Sequence, residues 1–93
     1  MQNKKVKDTF VVLNEKGLHT RPSTELVKCA AEFSAEVNLS YQNYVVNAKS
    51  ILGILMLAAE KGARVMVEAE GEDADRAVAA ILKLAKNRFN VKY

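Results

Sequence analysis

The sequence predicts an α+β open-faced sandwich: a four-stranded antiparallel sheet with three helices on one face, in the order β-α-β-β-α-β-α, within one domain of 93 residues. Three observations predict it. Apolar residues switch repeatedly between a period of two and a period near 3.6. The runs are separated by short turn clusters containing Gly or Asn, which suit tight connections. No internal repeat or linker interrupts residues 1–93, and only the ends, 1–4 and 88–93, read as segments free to move.

Val6 to Leu13 is the first strand, with Val6, Phe10 and Val12 on one face and Thr9, Val11 and Leu13 on the other. Asn14-Glu15-Lys16-Gly17 is a turn cluster. From Thr20 to Phe33 the period becomes helical: Leu26, Val27, Ala30 and Phe33 form the apolar stripe, with Glu25, Lys28 and Glu32 outside. Pro22 is tolerated only in a first turn, so the helix starts near His19 or Thr20. Ala35 to Tyr41 alternates, Gln42-Asn43 is a tight turn, and Tyr44-Val45-Val46 is the partner strand. Ser50 caps a short helix that runs to about Ala59 and stops at Gly62. Ala63 to Ala69 is the fourth strand, with Val65 and Val67 inward. Asp73 to Lys86 is the best helix, striped by Ala74, Ala77, Val78, Ile81, Leu82 and Ala85. Glu72, Asp73 and Asp75 at its start and Lys83, Lys86 and Arg88 near its end complement the helix dipole.

Composition sets outer limits. Apolar residues make up 49% and charged residues 27%, the balance of an ordinary folded domain. The net charge of +3 is mild, so a basic face matters only where the charges cluster. Cys29 is the sole cysteine, which excludes an internal disulfide, fits a reducing cytosol, and packs more readily than it reacts. The basic start lacks the apolar stretch of a secretory signal, and Ile51 to Ala59 is too short to span a bilayer. A cytoplasmic, monomeric protein without membrane insertion is expected.

The chemistry gathers at Gly17-Leu18-His19-Thr20-Arg21-Pro22-Ser23, which holds the only histidine and the only proline. A helix start leaves amide donors unpaired, and together with the helix dipole they attract an anion. There His19 offers an imidazole nitrogen to any phosphate held at that end, Arg21 a fork of donors for its oxygens, and Gly17 the sharp turn before it. Thr20, Pro22 and Ser23 form the helix start against which the phosphate would lie. A neutral ring is required, because only a nitrogen with a free lone pair attacks phosphorus. The commonplace alternatives are a surface or core histidine and a solvated arginine.

This motif resembles the active-site segment of the HPr family, the histidine-containing phosphocarriers of bacterial sugar phosphotransferase systems. Val46-Asn47-Ala48-Lys49-Ser50-Ile51-Leu52-Gly53 is similar to that family's regulatory serine segment, and the likeness covers roughly residues 5–90. It implies that His19 is phosphorylated through Nδ1 by enzyme I charged from phosphoenolpyruvate, that it passes the group to IIA components of sugar permeases, and that Arg21 is its electrostatic support. It implies a carrier rather than an enzyme, with no cofactor and no metal at the site. It also implies that Ser50 is a target of HPr kinase/phosphorylase, whose phosphate would place about two negative charges beside the docking face. Structurally, Ser50 is explained by helix capping alone.

The short helix is more apolar than core packing needs, so Ile51, Leu52 and Leu55 are expected to form an exposed docking patch, rimmed in positive charge by Arg21, Lys28 and Lys49. Alternatively the whole helix is core, with Ile54 and Met56 buried together. Thr20 stands where the family often has alanine, and Leu55 to Gly62 resembles the nitrogen-branch relative NPr, so a carrier in a nitrogen-related relay is one alternative function. A non-catalytic interaction module using the apolar patch is another. Nucleic-acid binding is disfavoured: the basic residues are scattered and the strands lack interleaved aromatics.

Overall fold

A computed structural model describes residues 4–93, so residues 1–3 of the segment expected to move lie outside the described residues. The elements are β1 (Lys5–Val11), α1 (Thr20–Ala30), β2 (Glu36–Tyr41), β3 (Tyr44–Asn47), α2 (Ile51–Met56), β4 (Arg64–Glu70), α3 (Ala74–Lys86) and a single 3-10 turn, Arg88–Asn90. The four strands form one antiparallel sheet in the order β1-β4-β2-β3, the open-faced sandwich that the alternation predicts.

The last strand lies inside the sheet because its inward face is wholly apolar: Val65, Val67 and Ala69 are each 0% exposed. Its register puts Phe10 opposite Val65 and Leu39 opposite Val67, so the apolar sets of neighbouring strands share one face. Leu26 and Ala30 of α1 and Ala77, Ile81 and Ala85 of α3 pack with that face in one core. Thr9, Met66, Ser40 and Val45 occupy the same row of the opposite face. Gln42 and Asn43 have φ of 49° and 70°, the left-handed pair that a two-residue hairpin turn requires.

Several boundaries differ from the sequence reading. β1 ends at Val11, although Val12 continues the pairing through its amide to Ala63 (2.9 Å). α1 ends at Ala30; Glu32 and Phe33 close onto Cys29 and Ala30 in tighter three-residue turns, leaving Phe33 against the core. α2 ends at Met56 instead of near Ala59, because Ala58 takes a left-handed φ of 50° and the Ala59 carbonyl turns to accept the Leu18 amide (2.9 Å). Gly62 therefore forms the turn into β4 rather than the helix stop.

Asp73 is not simply a dipole partner. It sits at the start of α3, but its carboxylate accepts the backbone amides of Ser34 and Ala35, both at 2.9 Å, tying the α1–β2 connection to α3. The Ser34 amide, followed by that of Ala35, holds its carboxyl below the usual carboxylate range against the upward push of burial. Cys29 is half-buried, and burial followed by Glu32 pushes its thiol up, which suits a packed rather than a reactive cysteine.

The C-terminal segment folds back on the domain through two side chains: Phe89 and Val91 are buried, whereas Arg88, Asn90, Lys92 and Tyr93 are exposed. Arg88, Phe89 and Asn90 have φ of 52°, 53° and 61°, a left-handed turn made without glycine. The strain is offset by burial: Phe89 is 0% exposed and meets Phe10 edge-on, with ring centroids 5.7 Å apart. Val91 is buried as well.

Candidate functional site

The site begins where the chain has no freedom. Gly17 has a φ of 69°, and a Cβ there would collide with the Ala59 carbonyl oxygen, so only glycine fits. Its amide donates to Asn14 (3.0 Å), the Leu18 amide donates to Ala59, and the Leu18 side chain is buried. His19 follows in extended conformation (φ −79°, ψ −169°) as the N-cap of α1, and its ring makes no capping bond. The first helical bond runs from the Ser23 amide to the His19 carbonyl (3.0 Å). Pro22 has no amide hydrogen. The Thr20 and Arg21 amides are thus left at the open end of the helix, with no partner among the described residues. A histidine is held beside a helix N-terminus with two free donors, the arrangement the Pro22 position predicts.

The members of the motif take different parts. Thr20 is exposed beside those amides. Pro22 and Ser23 are buried, and the Ser23 hydroxyl donates to the Leu18 carbonyl (3.0 Å), so both hold the helix start and neither faces a ligand. Arg21 is exposed, but its guanidinium is engaged: Nη1 donates to the Tyr93 hydroxyl at 2.8 Å.

Tyr93, Asn14 and Lys16 are the residues the sequence reading missed. The Tyr93 ring stacks on His19, with centroids 5.6 Å apart and planes 19° from parallel. The backbone oxygen of Tyr93 lies 3.1 Å from His19 Nε2. That oxygen only accepts, so Nε2 carries the hydrogen and a neutral ring keeps its lone pair on Nδ1. The Lys16 ammonium stands 4.9 Å from the centre of the Tyr93 ring. No local sequence signal announces a contact across 74 positions.

The predicted docking residues divide as well. Leu52 is 68% exposed and Ile51 39%, as expected, whereas Leu55 is half-buried. Ile54 is fully buried, yet Met56 is 73% exposed. Met56 belongs to the outer face because it lies one turn beyond Leu52. Lys28 is exposed and pairs with Glu25 at 3.6 Å. Lys49 is no free rim charge: its Nζ donates to the Phe33 carbonyl at 2.7 Å. Ser50 caps α2 by accepting the Gly53 amide at 3.1 Å.

Such a fold, presenting one histidine with a single available nitrogen against the positive end of a helix, defines a class: small protein carriers of a phosphoryl group. The chain belongs to the HPr family of the phosphotransferase system; the family model described as the PTS HPr component phosphorylation site matches residues 6–87. It is 41% identical over 81 residues to the phosphocarrier protein HPr of Xylella fastidiosa, covering 87% of this chain and 91% of that protein. Among solved structures it is similar to an HPr from Thermoanaerobacter tengcongensis, with a TM-score of 0.89, 35% identity and coverage of 95% of this chain and 99% of that one. A second structure from that organism, described as an HPr dimer, gives a TM-score of 0.74 at 38% identity, covering 84% and 90%. As a family member the protein is a phosphoryl carrier and not an enzyme.

Proposed function

We propose that His19 is the residue phosphorylated and that Nδ1 is the acceptor atom. The observation that carries this reading is the pair of unpaired amides, of Thr20 and Arg21, at the helix end that His19 caps. The Nδ1 lone pair attacks phosphorus, and the donor leaves with the electron pair of the broken bond. The phosphoryl oxygens then lie against the helix end, and Arg21 supplies charge-assisted donors by exchanging its bond to the Tyr93 hydroxyl for one to phosphate. The Thr20 hydroxyl is a further donor at that end.

The donor on this reading is enzyme I charged from phosphoenolpyruvate, and the acceptors are IIA components of sugar permeases. They dock on the apolar face of α2, at Ile51, Leu52 and the outer part of Leu55, joined by Met56. Arg21 and Lys28 supply positive charge at the surface. Ser50 is the regulatory position, a substrate for HPr kinase/phosphorylase whose phosphate would repel acidic partners from that face. The protein acts in the cytoplasm as a monomer; the dimer reported for a Thermoanaerobacter relative makes sedimentation at working concentration the check. The likeness of Leu55 to Gly62 to the nitrogen branch bears only on which enzyme I and which IIA exchange phosphate with it.

Incubation with phosphoenolpyruvate and enzyme I is expected to place one acid-labile phosphate on the chain, and His19→Ala to abolish it. Undiminished labelling of His19→Ala would overturn the assignment.

A further inference from the structure

The end of α3 and the segment after it carry positive charge that the fold does not consume. A surface groove of about 540 Å³ is lined there by Lys86, Asn87, Arg88, Asn90, Val91 and Lys92, with no carboxylate among them. The three cations are exposed, and none forms an ion pair among the described residues. The helix dipole accounts for Lys86, in the last turn of α3, but not for Arg88 and Lys92, which lie beyond the helix. Their placement is built into the backbone. The left-handed turn at 88–90 leaves Arg88 and Asn90 exposed on either side of the buried Phe89. The Arg88 carbonyl accepts from Nδ2 of Asn14, a completely buried side chain, at 2.9 Å. Nδ2 of Asn87 donates to Oδ1 of Asn90 at 2.6 Å and fixes the lip of the groove.

Two recesses extend it. One shares Lys86, Asn87 and Asn90 with the groove and adds Cys29, Ala80 and Leu84, an apolar seat between α1 and α3. The other shares Asn90 and Val91 and reaches Arg21 at the phosphoryl site. Its one carboxylate, Glu25, is engaged by Asn90 Nδ2 at 3.3 Å and by Lys28 at 3.6 Å. The result is a trough from Arg21 to Lys92 that borders α1 and α3 and includes no residue of α2.

We infer, resting on the reading of His19 and its donor above, that this trough is a second docking surface for the phosphate donor and takes an acidic segment of that protein. Carboxylates of the segment meet Lys86, Arg88 and Lys92, and an apolar side chain beside them covers Ala80 and Leu84. Charge decides between donor and acceptor. The donor meets the unphosphorylated chain, when the trough has its full positive potential. The acceptor meets the phosphorylated ring, when about two negative charges have arrived beside Arg21. That added charge weakens the attraction for an acidic segment. The trough therefore captures the donor before transfer and loosens it afterwards.

The test compares the whole chain with Lys86→Gln/Arg88→Gln/Lys92→Gln and with a control that removes as many cations elsewhere, Lys7→Gln/Arg64→Gln/Arg76→Gln. Single-turnover phosphate acceptance from phosphorylated enzyme I is measured against enzyme I concentration at low and at high salt, and delivery to a IIA protein is measured separately. The trough variant should lower the second-order acceptance rate roughly five- to tenfold at low salt, with little difference left at high salt and the saturating rate unchanged. The control should accept, and the trough variant should deliver, at close to the unmodified rate. Should the trough variant not fold, Arg88→Gln/Lys92→Gln, which leaves α3 intact, replaces it. Unchanged acceptance by the trough variant overturns the inference; loss of binding to vesicles of anionic phospholipid in that case assigns the cations to a membrane surface instead. An equal loss in the control, or an equal loss in delivery, overturns it too. All of these outcomes leave His19 as the phosphorylated residue, whereas absence of phosphate on His19 in the unmodified chain defeats the reading beneath.

Discussion

At the scale of single residues, the site depends on a few positions that tolerate no alternative. Gly17 turns the chain at a positive φ with Ala59 pressed against it. Gly17→Ala adds both a left-handed strain and a steric clash with backbone, and is expected to cost about 2–4 kcal/mol of stability in a urea titration. The loop would relieve the clash by moving Leu18, so phosphate acceptance by His19 should fall in parallel. Asn14 shows the opposite economy: a buried polar group with one unpaired oxygen, retained where an apolar side chain would pack, because tail oxygens need its donors. His19 itself was legible in the sequence from Pro22 three residues on. Its partner Tyr93 was not, since stacking between residues that distant depends on how the tail is folded.

At the scale of elements, capping and pairing decide more than propensity. α2 spans only Ile51–Met56, far below the length at which a helix is stable alone, so the Ser50 cap and the burial of Ile54 hold it. Its outer face, Ile51, Leu52 and Met56, is left exposed. Leu52→Ser is expected to change stability by no more than about 0.5 kcal/mol, because the side chain is 68% exposed. The same substitution should raise the half-saturating concentration for a docking partner about tenfold, in the range of a binding hot spot. α3 starts at a carboxylate that serves another segment. Asp73 has its folded pKa depressed, chiefly by the Ser34 amide, so its contribution is present above its unfolded pKa and is lost as pH falls through the lower folded value. Asp73→Asn should therefore flatten the acid limb of stability against pH, measured by urea unfolding from neutral pH downward, and an unaltered acid limb would remove Asp73 from that role.

At the scale of the whole molecule, one core connects the helix start, the sheet and the tail. Phe89 is completely buried against Phe10, and its backbone leads to Tyr93 at the site. Phe89→Ala is expected to cost about 3–5 kcal/mol and to lower the unfolding midpoint accordingly. It should also detach Tyr93, so that the His19 ring signals of the still-folded fraction move toward those of a histidine without a stacked partner. The exposed outer row of the sheet, including Val45 at 67%, carries none of these groups.

Alternation and helical spacing determined the order of elements, because side-chain direction follows backbone period whatever lies nearby. Pro22 determined where the helix after His19 must begin, since the missing amide restricts proline to the first turn. Only the tertiary structure decided that β4 runs between β1 and β2, that Met56 faces outward, that Asp73 serves the Ser34–Ala35 loop, and that the last residues close over His19. Those outcomes rest on surfaces meeting across long separations in the chain, which local pattern does not encode.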